Sequence, residues 1–317
     1  MIDLQKVFAT KLVIPTQAFN TTLWEKIKKN KECYFMIAPF LFFFMLFTVL
    51  PLFTSLIISF TSFNMLEFPI WRGWENYIDL FLNDDVFLVA VSNTLIFSLV
   101  TGPISYFACL ILAWLINEFP VRIRTILTVL FYIPSLSGGL LVIWRYIFSG
   151  DMYGLINSFL LESNFIDIPI LWLSDADYTF KVVMVVQIWM SLGTSFLAFI
   201  AGMQGIDRQM YEAGYIDGIR NRWQELFYIT LPSLGPQLMF GAVMQISASF
   251  SIGTMAAGLV GFPSVDDSAL TIVQHATDYG TIRFEMGYAT AISVILTGSM
   301  LILNSIIQKI LKRFTNY

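Results

Sequence analysis

The sequence predicts an all-helical membrane protein with six transmembrane helices, and three observations support this fold class. Hydrophobic residues make up 57% of the chain, charged residues only 13%, and the mean hydropathy is +0.72. In a soluble domain about a quarter of the residues are charged. Six apolar runs are each long enough to cross a bilayer. The charges between these runs alternate in kind, which is typical of a multi-pass protein.

Hydropathy places the transmembrane domain at residues 34–311. A lysine-rich tail, residues 1–33, precedes it and is expected either to lie on the membrane surface or to be solvated. A short tail, residues 312–317, follows it. Within the third span, Pro134, Gly138 and Gly139 are expected to interrupt the helix. The expected spans are 34–60, 86–116, 125–148, 181–203, 237–260 and 284–307.

The distribution of charge assigns a side of the membrane to each connecting segment. If both termini are cytoplasmic, 14 of the 18 Lys and Arg residues lie on the inner side. The three outer segments then hold 13 of the 22 acidic residues. Because Lys and Arg are retained in cytoplasmic loops, we expect residues 149–180 to be outside and residues 204–235 to be inside.

The longest hydrophilic run of the second half is Tyr211–Pro236. It has the pattern of a helix, a tight turn, a second helix and a proline-containing return to the membrane. Asp207 can cap the first helix by accepting from free N–H groups of its first turn. Gly218 suits the position just after that helix, where a positive φ is needed. These features predict a surface hairpin between the fourth and fifth spans.

This hairpin resembles the EAA loop of ABC importer permeases. The resemblance lies in Glu212-Ala213-Gly214, in Asp217-Gly218 and in the later Leu-Pro pair, although the family usually has alanine at the position of Gly214. It implies a type I ABC importer permease fold in which the cytoplasmic loop, residues 204–236, docks on a separate ATPase. The coupling residues that it implies are Tyr211, Glu212, Ala213, Gly214, Asp217 and Gly218.

Two outer segments add to the resemblance: the one around Ser62-Phe63-Asn64 is similar to an outer loop of sugar-type permeases, and Leu171–Asp175 is similar to a turn of maltose-type permeases. The resemblance therefore implies a permease subunit for a sugar or oligosaccharide in a bacterial plasma membrane. It also implies a second homologous permease, two cytoplasmic ATP-binding subunits and an extracytoplasmic solute-binding protein. Membrane lipid is an expected partner and nucleic acid is not.

Several function classes lack their signatures in this sequence. It contains no phosphate-binding loop, so we expect no enzyme activity and no cofactor, with ATP bound by a partner subunit. His275 stands alone in an outer segment and predicts no metal site, and Cys33 and Cys109 predict no disulfide framework. Apart from Arg145 and charges at the span edges, the predicted spans carry no ionisable residue of the kind that proton-driven transporters use.

Polar residues recur at helical spacing in the fourth and fifth spans. Gln187, Ser191 and Thr194 share one face, and Gln245 and Ser249 repeat the pattern. Amides and hydroxyls can pair with sugar hydroxyls, and aromatic rings can stack on a sugar ring. The same residue types also serve in helix–helix packing. The predicted substrate-binding set is Gln187, Trp189, Met190, Ser191, Thr194, Gln245, Ala248, Ser249 and Ile252.

Two alternatives remain open from the sequence. One is an ABC permease subunit for a non-sugar solute, such as a peptide or an oxyanion, although an anion carrier is expected to place Lys or Arg in the middle of the membrane. The other is a passive channel or a membrane enzyme in which the loop match is accidental. Binding of an ATPase through the loop would separate that second case from active transport.

Overall fold

The computed structural model describes residue 28 and residues 30–315, so most of the predicted N-terminal tail lies outside the described residues. Within the described part the regular secondary structure is helical, apart from one antiparallel bridge between Thr61 and Trp71. The chain divides into two compact units between Thr54 and Ser55. In chain order the helices are α1 (Lys31–Ile58), α2 (Glu75–Leu82), α3 (Asp85–Asn117), α4 (Val121–Leu136), α5 (Leu141–Ile147), α6 (Leu155–Glu162), α7 (Ala176–Met190), α8 (Thr194–Gln204), α9 (Arg208–Ile216), α10 (Arg222–Ser233), α11 (Gly235–Phe250), α12 (Gly253–Val260), α13 (Ile272–Thr277) and α14 (Met286–Thr315).

The predicted all-helical membrane fold is confirmed. Among the described residues, four helical segments are long and apolar enough to cross a membrane, and there are up to six spans if each of two bent pairs is one span. The four are α1, α3, α7 together with α8, and α14. The bent pairs are α4 with the segment Gly138–Ile147, and α10 with α11.

The bend after α4 confirms the interruption predicted for the third span. The two halves of that span lie at 85° to each other. Between them Ser137 is extended, with φ −131° and ψ 111°, and its hydroxyl accepts from the N–H of Gly139. Pro134 lies in the last turn of α4. Here proline and glycine act as the sequence predicts, because proline removes a helix donor and glycine lowers helix propensity.

Two other helix breaks were not predicted. The fourth span divides into α7 and α8 at Ser191–Gly193, and the fifth divides into α11 and α12 around Ser251. At the first break, a Cβ on Gly193 would lie 2.9 Å from the Cβ of Ser135. Close approach of α4 therefore favours glycine at this position, and that contact cannot be read from local sequence.

The core of the second unit forms around α3, which packs against α8 and α11. Small residues allow the close approach that is typical of helices in membranes. A Cβ on Gly241 of α11 would lie 2.4 Å from Cζ of Phe199 on α8, and one on Gly102 of α3 would lie 3.3 Å from Oγ of Ser249. The buried apolar residues at the centre of this packing are Cys109, Leu110, Ala113, Phe196, Phe199 and Leu238.

The largely buried carboxylate of Asp84, at the start of α3, connects α3 to α13 and α14. It accepts from the N–H of Phe87 at 2.8 Å and from the Tyr288 hydroxyl at 2.9 Å, and its Oδ2 lies 2.8 Å from Nε2 of His275. Burial alone would raise the pKa of Asp84, but these hydrogen bonds together hold that pKa below its ordinary value. His275 is therefore a buried partner of a helix-capping carboxylate.

A buried asparagine fixes the longest of the predicted outer segments. The side-chain amide of Asn157 donates to the carbonyls of Ser149 and Ile170, both at 3.0 Å, and its oxygen accepts from Nε1 of Trp172 at 2.9 Å. Because Asn157 is fully buried on α6, each of these bonds replaces lost water contacts. Helix α6 and the segment around Trp172 are thus held together as one structural element.

Candidate functional site

The hairpin at residues 204–236 has the helix–turn–helix form expected from its sequence. Asp207 caps α9, as predicted, by accepting from the N–H of Gln209 at 3.0 Å. Gly218 has φ +96°, which confirms the predicted left-handed residue after α9. Asn221 then caps α10 by accepting from the N–H of Gln224 at 2.8 Å. Local sequence therefore specifies both the start and the end of the first helix.

One face of α9 packs on α10. Gly214 is buried there, and a Cβ at this position would lie 2.6 Å from Cδ1 of Ile229. The hydroxyl of Tyr211 lies 3.3 Å from Oγ1 of Thr230. Glycine at position 214, where the resembling family usually has alanine, gives this isoleucine room to approach. The two helices of the hairpin are therefore held together by packing as well as by the turn.

The opposite face of α9 is exposed and combines acidic and apolar side chains. Glu212 and Ala213 are exposed, and so are Asp217 and Gly218 at the turn. Ile216 is 87% exposed. An apolar side chain next to carboxylates is suited to docking against another protein surface. The predicted coupling residues thus divide into an exposed group and two packing residues, Tyr211 and Gly214.

The buried amides of the predicted substrate set cross-link two helices. Gln187 of α7 donates to the carbonyl of Ala248 on α11 at 3.1 Å. Gln245 of α11 donates to the carbonyl of Ser191 at 3.1 Å and to Sγ of Cys109 at 3.2 Å. Both glutamine side chains are buried. Each therefore bonds the backbone of the facing helix, as expected for polar residues that serve in helix packing.

Other members of that set differ in their access to the surface. Trp189 is 42% exposed and Thr194 is exposed, whereas Ser249 and Ile252 are buried. Partial exposure is shared by Met190, Ser191 and Ala248. Because exposed and buried members alternate around the helix break, the nine residues do not form one continuous surface.

Additional polar residues are accessible on the same helices. Ser247 is partly exposed, and Ser251 and Thr254 are exposed. They lie around the helix break at Ser251, with Ser247 on α11 and Thr254 on α12, so helical spacing does not relate them across it. Thr254 was not among the residues considered from the sequence. These hydroxyls are further candidates for the lining of a polar pathway.

Arg145 contacts a helix end within the fold. Its Nε donates to the carbonyl of Leu259 at 3.1 Å, in the last turn of α12. A cation suits this position because the last carbonyls of a helix lack intrahelical partners. The Arg145 side chain therefore has a structural role, as a donor to the end of α12.

The sequence and the fold of this chain are similar to those of known transport proteins. Residues 119–316 match the family described as the binding-protein-dependent transport system inner membrane component. The chain is 33% identical to the probable ABC transporter permease protein YesP of Bacillus subtilis over 299 residues, 92% of each chain. It is 29% identical to the arabinooligosaccharides transport system permease protein AraP of the same organism, over 90% of this chain and 91% of AraP. A bacterial alginate ABC transporter, solved in complex with an alginate pentasaccharide-bound periplasmic protein, contains a chain with the same fold. The TM-score is 0.76 at 22% sequence identity, and the match covers 92% of this chain and 98% of that chain.

Proposed function

This chain belongs to the family of binding-protein-dependent transport system inner membrane components, and from that membership we propose how it functions. It is a multi-pass permease subunit of an ABC importer, a transport component rather than an enzyme. We infer that it forms half of the translocation pathway for a neutral sugar or oligosaccharide. The observation that carries this assignment is the similarity, over nearly the whole chain, to a permease named for arabinooligosaccharides.

The chemistry of the helices around the break supports a neutral substrate. Neither α8 nor α11 contains a charged residue, and their accessible polar groups are neutral: hydroxyls such as those of Thr194 and Ser247, and the amides of Gln204 and Gln237. Hydroxyls and an exposed indole, here Trp189, are suited to sugar hydroxyls and sugar rings. An acidic polysaccharide or an oxyanion would favour Lys or Arg in the pathway. We therefore place the non-sugar alternative second.

The proposed assembly follows the family resemblance. A second homologous permease completes the pathway, two cytoplasmic ATP-binding subunits supply energy, and an extracytoplasmic binding protein delivers the sugar. The exposed face of α9, with Glu212, Ala213, Asp217 and Gly218, is the proposed ATPase-docking surface. Tyr211 and Gly214 hold that surface on α10. ATP binding moves this hairpin, and the two permeases rock to open their shared pathway outward.

Uptake by the assembled transporter tests this function. We expect cells that express the chain with its co-encoded partners to accumulate a labelled neutral oligosaccharide, and cells without the chain to fail. Peptides and acidic oligosaccharides of similar size, supplied to the same cells, serve as comparison substrates for the neutral oligosaccharide. Uptake of a peptide with no uptake of any neutral sugar would favour the second function instead.

The proposed location is a bacterial plasma membrane with both termini in the cytoplasm. Labelling intact cells with a membrane-impermeant thiol reagent tests the sidedness. In a background with Cys33→Ser, we expect the reagent to modify Ser163→Cys and to spare Gln224→Cys, because both positions are exposed but lie on opposite sides. Opening the cells before labelling should make Gln224→Cys reactive. The reverse pattern in intact cells would overturn the six-span orientation.

A further inference from the structure

Two charged residues near the hairpin stand where their own helices disfavour them. Glu118 is the C-cap residue of α3, and Arg222 is the first residue of α10. The helix macrodipole disfavours a carboxylate at a C-terminus and a cation at an N-terminus. The helix dipole therefore favours neither residue at its position.

These two residues meet each other. Nη2 of Arg222 lies 2.9 Å from Oε2 of Glu118, while Nη1 of Arg222 donates to both carboxylate oxygens of Glu225 at 3.0 and 2.8 Å. The guanidinium thus bridges a carboxylate at the end of α3 and another in its own helix. A planar guanidinium with several fixed donors is suited to such a bridge.

An aromatic contact lies beside this ion pair. The rings of Trp114 and Trp223 are 5.0 Å apart between centroids, with their planes at 48°. Trp114 precedes Glu118 by four residues, so both face the same side of α3, and Trp223 follows Arg222 directly. The ionic and aromatic contacts together join the end of α3 to the start of α10. We call these four residues, Trp114, Glu118, Arg222 and Trp223, the span–loop joint.

The span–loop joint lies on a route from the exposed face of α9 to the core. A cavity of about 660 Å³ separates α9 from the ends of α3 and α8; Tyr211 and Tyr215 line it on one side, and Asn117 and Met203 on the other. Around that cavity, α9 packs on α10 through Gly214, and α10 meets α3 through the joint. Since α3 is the helix around which the core forms, a displacement of the hairpin enters the bundle there.

We propose that Glu118 and Trp114 are positioning residues for coupling, which pass the movement of the ATPase-docking hairpin directly to α3. This proposal rests on the proposed function, because it assigns a second route for the movement of the same hairpin. Besides the joint, the hairpin is connected to the bundle through the chain at α8 and α11 and through Leu231 of α10, which packs against the core. Loss of the joint therefore reduces the sugar carried per ATP hydrolysed and leaves docking of the ATPase intact.

The test is a double-mutant cycle on the whole transporter in proteoliposomes. The variants are Glu118→Gln, Arg222→Gln and the double variant, each assayed for sugar transported per ATP hydrolysed and for ATPase copurification. We expect Glu118→Gln to lower that ratio about two- to fivefold, the range set by an exposed ion pair, with unchanged copurification. The double variant should fall no further than Arg222→Gln alone. Trp114→Ala, which removes the aromatic half, should also lower the ratio.

Glu32→Gln is the matched control, because it removes one exposed carboxylate from the same predicted side of the membrane. It should leave the ratio unchanged. A normal ratio in Glu118→Gln, or additive losses in the double variant, would overturn the proposal. Loss of ATPase copurification in Glu118→Gln would also overturn it by making Glu118 part of the docking surface. Failure of the proposed function would appear differently, as no sugar-stimulated ATP hydrolysis by the unaltered transporter.

Discussion

Gly218→Leu is expected to abolish sugar transport while leaving the chain inserted and folded in the membrane. Gly218 has φ +96°, and a residue with a side chain pays about 1–2 kcal/mol to adopt a left-handed conformation. A Cβ there would meet no atom within 4 Å in this chain. The leucine would therefore project from the proposed docking surface and obstruct the ATPase. The measurements are copurification of the ATPase and sugar-stimulated ATP hydrolysis in proteoliposomes.

Gly218→Asn is the matched variant, because asparagine tolerates positive φ better than other residues with side chains. It should retain more ATPase copurification than Gly218→Leu.

Glu212→Ala tests the same surface through charge. Truncating one member of a buried interfacial ion pair costs about 2–5 kcal/mol, so ATPase association should weaken sharply. Glu67→Ala, which removes an exposed carboxylate from the predicted outer side, should have no effect. Full copurification and transport in both Gly218→Leu and Glu212→Ala would show that this hairpin is not the coupling element.

The hairpin could be predicted from the sequence because its determinants are local. The Asp207 cap and the positive φ of Gly218 each depend on the backbone within one turn of the residue. The burial of Gly214 depends instead on Ile229, fifteen residues later, and could not be predicted from the pattern. The contact between Glu118 and Arg222 joins residues that are more than a hundred positions apart. Sequence reasoning therefore located the surface but not its connection to the bundle.

The membrane helices show the same limit in another form. Hydropathy located the spans, since a run of apolar residues is itself the signal. At the break Ser191–Gly193, glycine is favoured by the close approach of Ser135 on a different helix, which no local pattern reports. Helical spacing predicted common faces for the polar residues, but it could not show the break between Gln187 and Thr194, nor tell a face in contact with another helix from an accessible one. One pattern of helical spacing therefore includes the buried donors Gln187 and Gln245 as well as the exposed Thr194.

Because some residues of the predicted substrate set are buried between helices and others are exposed, we expect substitutions in it to have two kinds of effect. Gln245→Leu removes the donor to the Ser191 carbonyl and leaves that backbone group without this bond in the core. We expect it to cost about 1–3 kcal/mol of stability and to lower the thermal unfolding midpoint of the purified transporter, with a loss of uptake that follows from the change in packing. Gln187→Leu should behave in the same way, because its bond to Ala248 is also between helices.

Thr194→Val should act on the substrate alone. Thr194 is exposed at the start of α8, and valine has nearly the same shape without the hydroxyl. If that hydroxyl bonds the sugar, its loss costs about 1 kcal/mol; the KM for uptake should then rise several-fold while the unfolding midpoint stays unchanged. Thr297→Val, at an exposed position on α14, is the control and should leave both quantities unchanged. An unaltered KM in Thr194→Val would remove Thr194 from the pathway, and an unaltered midpoint in Gln245→Leu would remove the interhelical role of Gln245 and return it to the substrate face.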